Sequence, residues 1–224
     1  MNGEVLRARR QAVLYDKKWL RLLDRAWIFR WIPFVEMAFA AGSMATGKVF
    51  PSSDFDILVA AKYGRMFTGR FFLILALDIF RWRRKNLDHG EAAADTICLN
   101  HFITEKSYAL SPPHQAYWKT LYQNLVPIYG REEKIEEFYL ANAWMGERRY
   151  GDDLRHKFRT ASTPAKFFER ILSGKVGDML EQILRGPQLR RINEKLLPHA
   201  GYKPRLIVSD KELELHLDTR RIEE

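Results

Sequence analysis

The sequence predicts an α/β (α+β) fold in which a small mixed sheet is flanked by helices and followed by a mostly helical C-terminal region. Helical spacing of apolar residues dominates the start of the chain and most of the part beyond Pro113. Between them, three short apolar runs without that spacing indicate strands. The chain has 224 residues, of which 46% are hydrophobic and 13% aromatic, and this is enough to build a sizeable core.

The N-terminal half divides into segments with distinct periodicities. From Val5 to Trp31, apolar residues recur at helical spacing among many charges, which predicts one or two helices before Pro33 ends the pattern. The segments that follow are predicted to be a strand over 34–41 that leads into Gly42-Ser43, a loop through 44–53, a central strand over 55–60, a helix over 64–84 and a strand over 96–103.

The C-terminal half is predicted to be mostly helical, beginning at the boundary marked by Pro112-Pro113. Helical periodicity covers the segments 114–124, 131–144, 154–160, 164–173 and 176–196. The charged tail from Asp210 to Glu224 is predicted to fray. We therefore expect an N-terminal helical segment over 1–31, a catalytic domain over 32–111 and a helical C-terminal region over 112–224.

The composition limits the partners and the compartment. Thirty-seven Lys and Arg against 28 Asp and Glu leave a formal charge of +9, which favours anionic partners such as nucleotides or simply gives a well-solvated basic surface. Cys98 is the only cysteine, so a reducing compartment, the cytoplasm, is expected. No signal-peptide core precedes the first helix, and the apolar run 71–77 is far shorter than the roughly 20 residues of a membrane span. We expect no membrane insertion.

Two acidic residues and a Gly-Ser pair are the candidates for chemistry. Residues two apart on a strand face the same side, so Asp54 and Asp56 project their carboxylates together, and such oxygen ligands suit Mg²⁺. At Gly42-Ser43 the missing side chain lets backbone N–H groups approach a phosphate, while the Ser43 hydroxyl adds a hydrogen bond. Together these features predict a site for a nucleoside triphosphate.

The order of these residues resembles a known signature. Ala41-Gly42-Ser43, the loop 44–53 and then Asp54-Phe55-Asp56-Ile57 are similar to the DNA polymerase β-like nucleotidyltransferase superfamily, over residues 34–103. More narrowly, Ser53 to Asp56, the helix with Gly64-Arg65 and Arg70, and the run from Ile97 to Phe102 resemble uncharacterised bacterial nucleotidyltransferase-domain proteins.

The resemblance implies transfer of a nucleoside monophosphate from a triphosphate such as ATP to an acceptor hydroxyl. It places Gly42, Ser43 and Ser53 at the nucleotide, and Asp54 and Asp56 on two Mg²⁺ ions, with Mn²⁺ able to substitute. A third carboxylate on a later strand completes such sites and helps to deprotonate the acceptor. The candidate for it is Asp95, with a capping or solvated Asp as the alternative and with Asp88 and Glu105 as weaker substitutes. The acceptor is open: a small molecule, a protein or an RNA end.

Other interpretations fit parts of the pattern. Gly42 to Lys48 matches the first part of a P-loop, but Val49 follows where Ser or Thr is required. A zinc site would need short paired spacings that Cys98, His101 and two further histidines, His89 and His114, do not have. No Gly-x-Ser-x-Gly elbow indicates a serine hydrolase. Ser53-Asp54 could also be just a polar turn before the strand over 55–60.

A rival function comes from another class of protein. The domain could bind nucleotide without turning it over, as a catalytically silent or antitoxin-like interaction module whose C-terminal helices contact a protein partner.

Arg65 and Arg70 could reach a triphosphate or merely solvate a helix surface.

Overall fold

The computed structural model describes residues 3–85, 93–110, 116–146 and 154–217. Its seven α-helices are α1 Gly3–Ala26, α2 Gly42–Thr46, α3 Met66–Ile79, α4 Ala116–Gln123, α5 Glu132–Ala141, α6 Thr163–Ile171 and α7 Lys175–Arg191. Its strands are β1 Val35–Ala40, β2 Phe55–Ala61, β3 Ile97–Ile103, β4 Val126–Gly130, β5 Arg205–Val208 and β6 Glu212–His216. Short 3₁₀ and π turns extend α1, α5 and α7 over Trp27–Trp31, Ala143–Met145, Ile192–Leu196 and Leu197–His199.

The six strands form one mixed sheet in the order β4-β1-β2-β3-β6-β5. Strand β2 lies at the centre, antiparallel to β1 and parallel to β3. The outer neighbours β4, β6 and β5 all pair antiparallel with the strand next to them. The mixed sheet flanked by helices confirms the predicted fold class.

Alternation along β2 divides the apolar core between the two faces of the sheet. Phe55, Ile57 and Val59 pack with α1, the turn after it and α3. Leu58 and Ala60 face the other way and pack with α4 and α5. Because side chains two apart share a face, Asp54 and Asp56 lie on the α4 side of the sheet.

Helix α3 ends earlier than predicted. It stops at Ile79, and the left-handed Arg81 (φ 56°) turns the chain so that residues 82–84 run beside the start of β3. The backbone N–H of Ile97 donates to Trp82 O at 2.6 Å, and that of Arg84 donates to Ile97 O at 2.9 Å. Pairing with β3 therefore replaces the last predicted helical turn. Among the described residues, no helix combines the length and apolarity that crossing a membrane requires.

The C-terminal region contains strands as well as helices. Four predicted helices are present as α4 to α7, but the predicted helix over 154–160 is wrong: this segment is irregular, and Phe158 bridges to Tyr129 of β4. Strands β4, β5 and β6 were not predicted, and β6 lies within the tail that was expected to fray. The predicted boundary at 111/112 falls outside the described residues, as do Asp88, His89 and His114.

Lys18 joins α1 to the segments that precede β2 and β3. Its side chain is 2% exposed. Its ammonium group donates to Pro51 O at 2.9 Å and to Ser53 O at 2.6 Å, and it forms an ion pair with Asp95 at 2.8 Å. A buried charge is tolerated only when it is paired and hydrogen-bonded. Lys18 therefore holds α1, the loop before Asp54 and the turn before β3 in one arrangement.

We predict that Lys18→Met is strongly destabilising. The substitution removes the buried donor of two carbonyl oxygens and leaves Asp95 with Arg21 as its remaining cationic side chain, and a buried acceptor left unsatisfied costs about 1–3 kcal/mol. The neighbouring Lys17 is exposed, so Lys17→Met should change stability by no more than about 0.5 kcal/mol. Urea unfolding of both variants measures the difference. Equal stability of the two would show that the buried ammonium group has no structural role.

Candidate functional site

Three adjacent strands bring the candidate residues to one edge of the sheet. Ala40 of β1 lies opposite Ile57 of β2, and Asp56 of β2 lies beside Cys98 of β3. The end of β1, the start of β2 and the start of β3 therefore meet. Gly42 follows β1 directly, so it reaches the same place as the two aspartates.

Gly42 lies against the carboxylate of Asp56. A Cβ atom added to Gly42 would lie 2.1 Å from Asp56 Oδ2, and the residue has a left-handed φ of +57°. Both facts require glycine, because a side chain would displace the carboxylate and left-handed φ is unfavourable for other residues. The backbone N–H of Ala41 donates to Asp56 O at 2.9 Å, which fixes the approach. Ser43 follows, half-buried, in the first turn of α2.

Asp54 and Asp56 differ in their partners. Asp54 is 9% exposed and its Oδ2 accepts from Arg84 Nη1 at 2.7 Å. Burial is the largest effect and lowers the pKa of the Arg84 guanidinium, but the charge of Asp54, its hydrogen bond to Arg84 and the neighbouring Cys98 and Asp56 together raise the pKa above its usual value. Asp56 accepts a 3.3 Å hydrogen bond from the amide of Asn100. Burial, and then the like charge of Asp54, raise the pKa of Asp56 to about 7.

Cys98 is the third member of this group. Ligand atoms of Asp54, Asp56 and Cys98 all lie within 4.8 Å of one another. Burial, followed by the charges of Asp56 and Asp54, raises the pKa of the Cys98 thiol well above its usual value. The site therefore offers two carboxylates and a protonated thiol, and the carboxylates are the donors suited to a hard cation.

A bulge in β3 turns Asn100 toward the site. Asp56 lies beside Cys98 and Leu58 lies beside His101, so β3 has one more residue than β2 between these pairs. Bulges re-aim side chains next to functional sites. Here the extra residue brings the Asn100 amide to Asp56 while His101 keeps its place opposite β6.

Sequence reasoning missed three groups at this site: Cys98, Asn100 and Arg84. Cys98 and Asn100 lie in the quoted run from Ile97 to Phe102, but no spacing rule showed which side chains face Asp56. Arg84 lies in the basic segment after α3, which helical periodicity had assigned to the helix. Burial and then the charge of Asp56 raise the pKa of Tyr117 on α4.

Asp95 has cationic partners. Its φ is +60°, and its carboxylate pairs with Lys18 and Arg21 of α1. It does not belong to the group formed by Asp54, Asp56 and Cys98. We therefore leave Asp95 out of the candidate site, because its charge neutralises the buried Lys18.

The side chains of two more predicted residues, Ser53 and Glu105, accept hydrogen bonds from backbone N–H groups. The Ser53 hydroxyl accepts from the Phe50 N–H at 2.8 Å, which closes the loop before β2. The Glu105 carboxylate accepts from the Tyr63 N–H at 2.9 Å. The structure therefore brings together Gly42, Asp54 and Asp56, while the side chains of Ser53 and Glu105 bond elsewhere.

Arg65 and Arg70, the two arginines that could reach a triphosphate, form hydrogen bonds to α7 and to Leu172 before it. Arg65 donates to Leu172 O at 3.0 Å and to Asp178 at 2.6 Å, and Arg70 donates to Gln188 at 2.7 Å. The P-loop alternative lacks its helix, because α2 ends at Thr46 and the residues after the exposed Lys48 form a loop up to β2.

Comparison with known proteins identifies no relative. No protein-family model matches the chain, and neither a curated protein nor a solved structure is found to be similar to it.

We predict that Gly42→Ala destabilises the chain more than Gly47→Ala does. Both glycines have positive φ, but a Cβ at Gly47 meets nothing within 4 Å. The strain of a left-handed residue, about 1–2 kcal/mol, is common to both variants. The clash with Asp56 should add about 1–3 kcal/mol in Gly42→Ala, measured by urea unfolding. In an Asp56→Ala background most of the added cost should disappear, because of the three close atoms only the residue-56 Cβ, at 3.0 Å, remains, and an undiminished cost there would disprove the contact with the carboxylate.

We predict that Asp56→Asn stabilises the chain at high pH in the presence of EDTA. The pKa of Asp56 is raised from a usual value of 3.8 to about 7, so the folded chain binds a proton that the unfolded chain releases. Wild-type stability should therefore fall as the pH rises through this window, and it should stay low above it. The variant should melt above wild type at about pH 8 and lose this advantage toward about pH 4. A difference that stays constant between about pH 4 and pH 8 would contradict the raised pKa.

Proposed function

We propose that this chain binds a nucleoside triphosphate at Gly42, Ser43, Asp54 and Asp56 and transfers its nucleoside monophosphate to an acceptor hydroxyl. The observation that carries the proposal is the contact between Gly42 and the Asp56 carboxylate. The turn at Gly42 has no side chain and lies beside the two carboxylates. A phosphate that approaches this turn would therefore also come close to a metal ion bound by Asp54 and Asp56.

The donor set fits Mg²⁺. This ion is usually held by one or two carboxylates together with substrate phosphates and water, and Mn²⁺ shares its preference for oxygen. Asp54 and Asp56 would be its ligands. Their mutual repulsion contributes to the raised pKa of Asp56, and a divalent cation between them would relieve it. When bound, the metal would neutralise charge on the phosphate oxygens.

In the proposed reaction, the acceptor oxygen forms a bond to the α-phosphorus. The bond from this phosphorus to the bridging oxygen breaks, pyrophosphate leaves, and the hydroxyl proton passes to solvent. The Gly42-Ser43 turn would position the phosphates, since Gly42 lies against the Asp56 carboxylate and Ser43 follows it in the first turn of α2. The acceptor class remains a choice between a small molecule, a protein side chain and an RNA end, and the net charge of +9 slightly favours RNA.

A second function, nucleotide binding without turnover, is favoured by two observations. Arg84 already pairs with Asp54 at 2.7 Å. On β3, the residues that face the aspartates are Cys98 and Asn100, where a third carboxylate was expected. An antitoxin-like module would also need a surface that contacts a protein partner. The exposed apolar side chains of α6 and α7 could form this surface. They are Phe167, Phe168, Ile171, Val176, Met179 and Ile183.

For the location we propose the cytoplasm. The basis is the single cysteine, Cys98, whose thiol pairs with no other cysteine in the chain.

The test is a thermal shift with ATP, CTP, GTP and UTP, with and without Mg²⁺ or Mn²⁺. A ligand at about 100 times its Kd stabilises the folded state by about 2.7 kcal/mol, which corresponds to a rise in Tm of roughly 5–10 °C for a chain of this size. We expect a metal-dependent rise with at least one triphosphate. Asp54→Asn/Asp56→Asn should abolish it, and Asp16→Asn/Asp24→Asn, which removes the same charge from exposed positions of α1, should retain it.

Pyrophosphate release then separates the two functions. Release that requires Mg²⁺ and both aspartates supports transfer. Saturable binding without release supports the silent module. If no triphosphate shifts the Tm, both functions are rejected.

A further inference from the structure

A second polar group lies on the α4 face of the sheet, between β3 and β6. His101 of β3 is opposite Glu214 of β6. These residues are 3% and 0% exposed, whereas His216 at the end of β6 is half-buried. One ligand atom from each of His101, Glu214 and His216 lies within 4.8 Å of the other two.

Two of the three members, His101 and Glu214, are oriented by a further contact. Glu212 Oε1 lies 3.0 Å from His101 Nε2, and Arg205 Nε donates to both carboxylate oxygens of Glu214 at 2.6 Å. A carboxylate behind a histidine and a hydrogen-bonded carboxylate are the usual supports of metal ligands. Each oxygen of Glu214 has a second lone pair, so the contact with Arg205 leaves it able to bind a cation.

The charge in this region suits a cation. With both imidazoles neutral, Glu212 and Glu214 against Arg205 leave one net negative charge in a buried place. An imidazole binds a metal ion in its neutral form, so His101 and His216 would add no charge of their own to the site.

A buried tyrosine packs near the same group. Tyr122 of α4 is 2% exposed, and among the described residues its hydroxyl has no hydrogen-bond partner. Its ring stacks on Trp118 at 6.0 Å between centroids, and Trp118 in turn contacts the ring of His216 at 5.0 Å. A buried hydroxyl without a partner is rare in native proteins, and a bound ion or water is one explanation for it.

We propose that His101, Glu214 and His216 bind a divalent transition-metal ion, with zinc as the best match. Two histidines and one glutamate are an established zinc ligand set, and they leave a fourth position for a water molecule. The ion would cross-link β6 to β3 and so fix the C-terminal hairpin on the sheet. This site shares no residue with the one proposed for the nucleotide, and neither depends on the other.

The experiment is a titration of the full chain with zinc sulfate after chelation, followed by calorimetry, and with Co²⁺ followed by its visible absorption. We expect one tightly bound ion and a higher Tm with zinc. His216→Gln should weaken binding at least tenfold, and its position at the end of β6 favours retention of the fold, which circular dichroism checks. His199→Gln removes an exposed imidazole and should leave binding unchanged.

Further variants separate this site from the aspartate group. Binding that persists in Cys98→Ser and in Asp54→Asn/Asp56→Asn supports the proposal. Loss of binding in either variant would place the ion at Asp54, Asp56 and Cys98 instead and would overturn it. The absence of binding to the wild-type chain, or full affinity in a folded His216→Gln, would overturn it as well. None of these measurements uses a nucleotide, so they are independent of the test for nucleotidyl transfer.

Discussion

The buried ammonium group of Lys18 sets the geometry from which the rest of the candidate site follows. It bonds the loop carbonyls of Pro51 and Ser53 and the carboxylate of Asp95. Asp54 comes directly after that loop, and β3 begins directly after the turn that contains Asp95. Because a buried charge must be neutralised and hydrogen-bonded, these two segments cannot move independently of α1. The spacing between the first residues of β2 and β3 is thereby fixed.

The requirement that buried charges be paired also explains how the α4 face of the sheet holds so many ionisable groups. Asp54 is paired with Arg84, Glu214 with Arg205 and His101 with Glu212. Asp56 has no cationic partner of its own among these pairs, and its pKa is the one raised to about 7. Added positive charge beside Asp56 would therefore be favourable.

The C-terminal region is attached by polar contacts as much as by apolar packing. Glu181 of α7 accepts hydrogen bonds from the N–H groups of Phe67 and Thr68 at the start of α3, at 2.9 and 2.8 Å. This supplies acceptors to a helix start that its own capping residue leaves unsatisfied. Strand β6 joins the sheet through buried glutamates and the apolar Leu213. Its charged composition is the reason that sequence patterns predicted a frayed tail.

What the sequence determined was local. Apolar periodicity predicted α1, β1 to β3 and four of the C-terminal helices, and the spacing of two residues placed Asp54 and Asp56 on one face, because these features depend on neighbours along the chain. What the tertiary structure decided depends on distant pairs. Arg21 and Asp95 are 74 residues apart, and His101 and Glu212 are 111 apart. The same holds for Arg84 beside Asp54, which depends on where α3 ends, and for Asn100 beside Asp56, which depends on a bulge. A charged residue can be solvated, paired or bound to a metal with the same local pattern, and only the packing of remote segments around it selects among these states.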